Sequence, residues 1–286
     1  MTFFPSDSAA CVLVTGASGR IGRMLRALWR DNRAGNLPVL WHGRRAGTGV
    51  DLVWDIGAEP APGLPRGMII LHLAGRTTGS ASELDDNRRA TGALCRAARA
   101  SAAAHVLVMS SAAVYPPGPL PIAETTRPAP VSPYGQAKLA AEQAATRLGG
   151  PGLTVLRLAN LAGADALLGN VRADIPSVLD PVEGQPGGPE RSYIGPLVLA
   201  RVLQSLLTRV ASGHVLPDVI NLAQPGVIAM ADLLNARGQR WSFGPVRAGV
   251  VARVALDTAL LQGLMPVPMA TPAGLIADLD ALGAPP

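Results

Sequence analysis

Short apolar runs and longer alanine-rich stretches take turns along this chain, and a glycine-rich turn stands at the first change-over. Cys11 to Thr15 reads as a buried strand and Ile21 to Arg33 as a helix. Between them lies Thr15-Gly16-Ala17-Ser18-Gly19-Arg20-Ile21-Gly22. The same beat continues with strands at Val39 to His42, Met68 to Ala74, Val106 to Ser110 and Leu153 to Leu158. Helices are expected at Asn87 to Ala102 and Tyr134 to Arg147. This alternation predicts an α/β architecture, a parallel sheet covered by helices on both faces. After about residue 160 the pattern loosens. Val182 to Pro189 is a Gly/Pro-rich loop, Val219 to Ala223 reads as one more sheet strand, and the tail to Pro286 mixes short helices and turns.

Composition removes several function classes. The chain has 286 residues and is 48% apolar, so it is long enough for a sizeable core. Net charge is +5, but the arginines are scattered and aromatics make up 3%, which leaves no stacking platform for nucleic acid. Cys11 and Cys95 are too few for a disulfide framework, and His42, His72, His105 and His214 lack ligand spacing, so no metal is expected. Met1 to Ala10 shows no leader pattern, and the longest apolar runs are short or broken by arginine. A cytoplasmic protein without membrane contact is the expectation.

Within the glycine turn, glycines permit a tight bend and let a pyrophosphate approach backbone N–H groups at a helix N-terminus. Close packing of strand on helix would need the same residues. An acid at the end of the second strand would accept the adenosine ribose hydroxyls of NAD. That strand instead ends at His42, and Gly43-Arg44-Arg45 follows. Two arginines suit a 2′-phosphate, so NADP(H) is expected ahead of NAD; a solvated basic loop is the plain alternative. Asp55, followed by Ile56, is placed to hold the adenine amino group. Leu73-Ala74-Gly75 ends the next strand, where the middle of the cofactor would lie.

Lys138 is the single lysine of a chain with 25 basic residues. A composition so biased toward arginine points to a need for a compact ammonium whose pKa can shift. Tyr134 and Lys138 are spaced i, i+4 and share a helix face. A cation there would lower the phenol pKa and make a usable acid/base. An exposed surface lysine would have the same spacing. Ser110-Ser111 closes the strand before this helix and offers a hydroxyl at the edge where ligands of open sheets gather.

Taken in order, these motifs resemble the extended short-chain dehydrogenase/reductase superfamily, in its NAD-dependent epimerase/dehydratase branch. The resemblance rests on T-G-x-x-G-x-x-G, on His72 to Gly75, on Asn87 and Thr91, on Ser110 to Tyr115, on Ser132 to Lys138 and on Arg157 to Asn160. It implies a Rossmann doubly wound parallel sheet with a small C-terminal substrate-binding lobe. Residues 1–160 would be the NAD(P)-binding domain, its sheet completed by about 196–224, and 161–195 with 225–286 the lobe. It also implies roles. Tyr134 would be the acid/base, Lys138 would lower its pKa and hold the nicotinamide ribose, and Ser111 would be the third catalytic residue. Asn87 would support the active-site helix, and Asn160 and Arg191 would grip substrate phosphates. Gly16, Ser18, Gly19, Arg20, Ile21 and Gly22 would cradle the cofactor.

Departures from the family narrow the chemistry. Ala112-Ala113 stands where the dehydratases carry Asp-Glu, so elimination by that route lacks its acid and base. The family's R-D-F-I-H-V-x-D reads Arg191-Ser192-Tyr193-Ile194-Gly195-Pro196-Leu197-Val198. The expected activity is an NAD(P)(H)-dependent oxidoreductase or epimerase, moving a hydride at a carbinol or ketone carbon of a sugar nucleotide or related small molecule. An NADPH-dependent reductase of another carbonyl compound and a non-catalytic dinucleotide sensor are the alternatives. A homodimer through the helices holding Asn87 and Tyr134 is a further expectation from the resemblance.

Overall fold

The computed structural model describes residues 10–57, 61–118, 120–150, 152–172 and 174–283. The leader question at Met1 to Ala10 and the last residues of the tail fall largely outside them. The central sheet contains β1 (Val12–Thr15), β2 (Leu37–Gly43), β3 (Ile69–His72), β4 (His105–Ser111), β5 (Gly152–Leu158) and β6 (Val219–Leu222), all parallel. They lie side by side in the order β6-β5-β4-β3-β1-β2. Leu52–Val53 continues the sheet parallel to β2, and Arg33–Ala34 pairs antiparallel with it. From β1 the chain goes to β2 on one side and later to β3 on the other. The crevice outside the carboxyl ends at such a reversal is where ligands of these sheets bind.

Helices α1 (Arg20–Leu28), α2 (Asp86–Ala100), α3 (Pro133–Leu148) and α4 (Pro196–Ala211) cover the two faces. Every residue of β1 and β3 is buried, because a strand covered on both sides carries apolar groups at consecutive positions. Val12 and Val14 join one core with Met24 and Leu25 of α1 and Leu199 and Leu203 of α4. Leu13 joins the other core with Leu94 and Ala98 of α2 and Ala145 of α3. Alanine on α2 and α3 lets these helices pack close to the sheet.

Local chemistry sets the helix ends. The Ser132 hydroxyl accepts from the Gly135 N–H at 3.1 Å, and Pro133 opens α3 where its missing N–H costs nothing. Helix α1 is shorter than the sequence predicts. It stops at Leu28, and the chain tightens into a turn at Arg30–Asn32, where Asp31 and Asn32 take positive φ. Asp and Asn tolerate that conformation, and the Trp41 indole N–H fixes Asn32 with a 2.9 Å bond to its Oδ1. Helix α4 begins after Gly195, which has no capping side chain. Its cap comes from α5 (Pro272–Asp280), where Asp278 Oδ2 accepts from the Val198 N–H at 3.3 Å.

The later segments form short sheets: Glu190–Arg191 with Ile228–Ala229 and Arg253–Val254, and Ser177–Leu179 with Trp241–Phe243. Leu179, Tyr193, Leu233, Leu234 and Leu275 gather there in an apolar cluster distinct from the two beside the sheet. Asn221 of β6 stitches this region to the sheet. Its Nδ2 donates to the Ile122 and Asp257 carbonyls at 2.9 and 3.1 Å, and its backbone N–H donates to Glu124 at 2.9 Å.

Candidate active site and cofactor cleft

A cavity of about 540 Å³ opens at the carboxyl edge of β1, β2 and β3. Of the residues expected to meet a dinucleotide, Gly16, Ser18, Gly19, Arg44, Asp55, Ile56, Leu73, Ala74, Gly75 and Asn87 line it. Gly16 has φ +78°, and a Cβ there would come within 2.8 Å of the Ala74 N, so this position requires glycine. A side chain at Gly22 would run into the Gly16 carbonyl, which makes this glycine a packing residue. Gly19 precedes α1 without a side-chain cap, and no acid occupies the first turn. The leading N–H groups of α1 therefore face the cleft unopposed, the arrangement that receives a phosphate anion.

Other expected contacts lie elsewhere. Arg20 turns away from the cavity and donates to the Ala164 carbonyl at 2.8 Å. Ile21 packs against the core, and Arg45 is exposed and off the cavity wall, leaving Arg44 alone of the pair. Asn87, expected to support the active-site helix, bonds the segment after β3 with its amide. Its Oδ1 accepts from the Arg76 N–H at 2.7 Å and its Nδ2 donates to the Arg76 carbonyl at 3.0 Å, so it latches the segment that follows β3. Sequence reasoning missed Arg76, which also lines the cavity and pairs with Glu83 and Asp86 at 3.3 Å each.

Polar groups form the floor beside this cleft. Thr15 lies in register between His42 and His72. Its Oγ1 receives the Leu73 and Ala74 N–H groups at 3.2 Å each, so its own hydrogen goes to His72 Nδ1 at 2.8 Å. His72 Nε2–H is then the donor to Thr91 Oγ1 at 3.2 Å. Burial pushes the His72 pKa down to about 3, reinforced by the nearby Lys138 charge. His42, likewise buried and lowered by burial, donates from Nε2 to the Trp54 carbonyl at 2.6 Å.

The candidate catalytic residues converge at the end of β4. Lys138 is buried and donates from Nζ to the Met109 carbonyl at 2.8 Å, close against Gly75 and Asn87. Burial pulls its pKa down to about 8, and Glu142 acts in the opposite direction. Tyr134 is half-buried. Burial raises its phenol pKa, and hydrogen bonding with the Ser111 side chain opposes that rise. Ser111 and Tyr134 thus lie beside one another at the end of β4, as their hydroxyls must to meet one substrate oxygen. The expected lowering of the phenol by Lys138 is not what this geometry gives. Desolvation dominates at Tyr134, and the ammonium bonds a backbone carbonyl.

Asn160 and Arg191 come together around Tyr193. Asn160 lies opposite Tyr193 on a neighbouring parallel strand, and the Tyr193 hydroxyl donates to Asp165 Oδ2 at 3.1 Å. Arg191, however, donates to the carbonyls of Glu190, Val251 and Ala252 at 2.8, 2.7 and 3.4 Å. Its guanidinium holds the backbone together, which is a different duty from gripping a phosphate. No group of His, Cys, Asp and Glu suited to a metal ion occurs among the described residues, and no helix there is long and apolar enough to cross a membrane.

With the cleft and the Ser–Tyr–Lys cluster in place, comparison with known proteins becomes informative. The model of the NAD-dependent epimerase/dehydratase family matches residues 12–196. The chain belongs to this family. No curated protein matches the sequence directly. Among solved structures, MoeE5 in complex with UDP-glucuronic acid and NAD is 24% identical, with 93% of this chain and 97% of that one covered and a TM-score of 0.72. UDP-glucuronic acid 4-epimerase from Bacillus cereus, in complex with UDP-glucuronic acid and NAD, is 18% identical over 95% and 98%, with a TM-score of 0.74. UDP-glucose 4-epimerase from Brucella ovis, in complex with NAD, is 22% identical over 94% and 96%, also at 0.74. At these identities the likeness establishes the shared Rossmann-like fold.

Proposed function

We propose that this member of the epimerase/dehydratase family is an NAD(P)(H)-dependent oxidoreductase or epimerase acting at a carbinol or ketone carbon. A sugar nucleotide or related small molecule is the substrate class. The reading rests on one observation: Ser111, Tyr134 and Lys138 gather at the carboxyl end of β4, and the Lys138 ammonium lies near Gly75 on the wall of the glycine-turn cavity, where an added Cβ would come within 3.4 Å of it. A nicotinamide, when bound, would supply the hydride acceptor or donor. Gly16, Ser18, Gly19 and the first N–H groups of α1 would hold its pyrophosphate, Asp55 and Ile56 the adenine, and Lys138 the nicotinamide ribose. The Tyr134 phenol would give or take the proton of the substrate oxygen, and the Ser111 hydroxyl would hold that same oxygen.

NADP(H) is proposed ahead of NAD because a His42 kept neutral by burial, instead of a carboxylate, stands near the end of β2, and Arg44 stands on the cavity wall. The exposed faces of α2 and α3 would support a homodimer, and the segments beyond β5 would receive the substrate. Epimerase chemistry is favoured over release of a reduced product by Asn160, which faces Tyr193 beside the sheet edge. The purified protein should be assayed for bound cofactor and then incubated with UDP-sugars. Interconversion of two epimers without net cofactor turnover is the expected result. Net consumption of NADPH with a simple ketone would establish the reductase instead, and a bound cofactor with no turnover of any carbonyl or carbinol would establish a sensor.

A further inference from the structure

One polar cluster beneath this site has no part in the scheme above. Glu142 lies on α3 one turn beyond Lys138 and two beyond Tyr134, and it is 5% exposed. Its Oε1 receives the Ser110 hydroxyl and Arg157 Nε, the latter at 3.2 Å. Arg157 Nη2 reaches its Oε2 at 2.8 Å, which completes a two-pronged pair between buried groups. Arg157 lies over the Tyr115 ring at 4.6 Å, and the Tyr115 hydroxyl donates to Asn221 at 2.8 Å.

The pattern of ties is regular. Successive residues of β4 face α3: the Met109 carbonyl accepts from Lys138, the Ser110 hydroxyl donates to Glu142, and Ser111 lies beside Tyr134. Of these, Glu142 is the one that is also clamped from a third element, β5, through Arg157. A carboxylate in that place fixes how far α3 stands from β4, and so how far Tyr134 stands from Ser111. It also puts a negative charge one turn from an ammonium that otherwise sits in an apolar slot.

We propose that Glu142 is a positioning residue, which holds the catalytic helix in register with β4 and supplies the counter-charge that keeps Lys138 an ammonium. Arg157 limits this effect by neutralising part of the carboxylate. The other titratable groups around Lys138 are Tyr134 on α3 and His72 on β3, the latter neutral at physiological pH. The Glu142–Arg157 pair also lines a groove of about 1030 Å³ whose other charged lining residues are Arg127, Arg147 and Asp218. The catalytic part of this inference rests on the role proposed for Lys138, but the electrostatic part does not.

The single lysine makes that part directly observable. Protein grown on lysine labelled with carbon-13 at Cε gives one side-chain resonance, whose pH titration is that of Lys138 alone. Glu142→Gln should move the midpoint down by about one pH unit, and Arg157→Met should move it up, since the carboxylate is then uncancelled. Glu142→Asp keeps the charge and should restore most of the parent value. The opposite signs keep the test decisive even where one variant fails to fold, which thermal melts would reveal. Midpoints that do not move in either folded variant, or that move in the same direction, would overturn the proposal. Once a substrate is in hand, the alkaline limb of kcat should follow the titration in each variant. A titration that behaves as described in a protein without turnover would refute the enzymatic reading and leave the electrostatic one standing.

Discussion

Lowering the pH from 7.5 to 5 should destabilise this protein through His72. In the folded chain its pKa is depressed to about 3, against an ordinary value of 6.5 when unfolded. The unfolded state therefore binds the proton first. Stability is complete above about pH 6.5 and falls as the pH drops from there toward 3. Each unit of separation is worth about 1.4 kcal/mol, so His72 alone should cost roughly 2 kcal/mol at pH 5. At 2% exposure there is little solvent to screen the effect. His42 and His105 are lowered by burial too and act in the same direction. Urea melts at several pH values would give the slope. The His72→Gln variant isolates the residue, because its amide can still span Thr15 and Thr91 but cannot titrate. Between pH 7.5 and 5 the variant should lose about 2 kcal/mol less than the parent. Equal slopes in the two proteins would refute the assignment of His72 as a neutral, buried bridge.

Other outcomes are open to equally direct measurement. Tyr134→Phe should lower turnover by about 10²–10⁴-fold, and Ser111→Ala by on the order of 10²–10³-fold, with cofactor affinity little changed in both, as steady-state kinetics and calorimetry would show. Arg44→Ala should weaken NADP(H) and spare NAD(H), whereas Arg45→Ala should leave both nearly unchanged. Calorimetry with each cofactor tests this, and better NAD affinity in the parent protein would count against a 2′-phosphate contact. Lys138→Arg preserves charge but places a planar guanidinium in a buried slot built for one 2.8 Å bond to Met109, so turnover should drop sharply in a protein that still melts cooperatively.

Much of the fold was legible because its signals are local. Consecutive burial of β1 and β3 shows as apolar runs, and the glycine turn shows as Gly16, Gly19 and Gly22 in their places. Ser111, Tyr134 and Lys138 were recognisable by type and spacing. Other features depend on which strands become neighbours. Arg44 and Arg45 look equivalent in sequence, yet only Arg44 reaches the cavity wall. Arg191 fits a phosphate-binding pattern, but three carbonyls brought from two segments occupy it. The phenol of Tyr134 has a cation one turn away, yet burial governs its acidity. Glu142 was within reach of the helical period that pairs Tyr134 with Lys138. Its importance depends on Ser110 and Arg157, which only the sheet brings beside it. The early end of α1 was likewise hidden, since it depends on Asn32 meeting the indole of Trp41 across a turn.

The cap that Asp278 provides for α4 has a consequence for how the chain is made. It bonds to Val198 across 80 residues of sequence, so a ribosome releases the crossover helix well before the group that finishes it. Until then the first turn of α4 has exposed N–H groups, and its apolar face against β1 and β5 is held by packing alone. The last strand to join, β6, follows that helix and is stitched by Asn221 to residues on both sides of it. Closure of the outer sheet edge therefore waits for Asp257, and completion of the first turn of α4 for the final helix. A nascent chain halted before Asp278 should expose this edge to chaperones and proteases while the β1–β4 half is already closed.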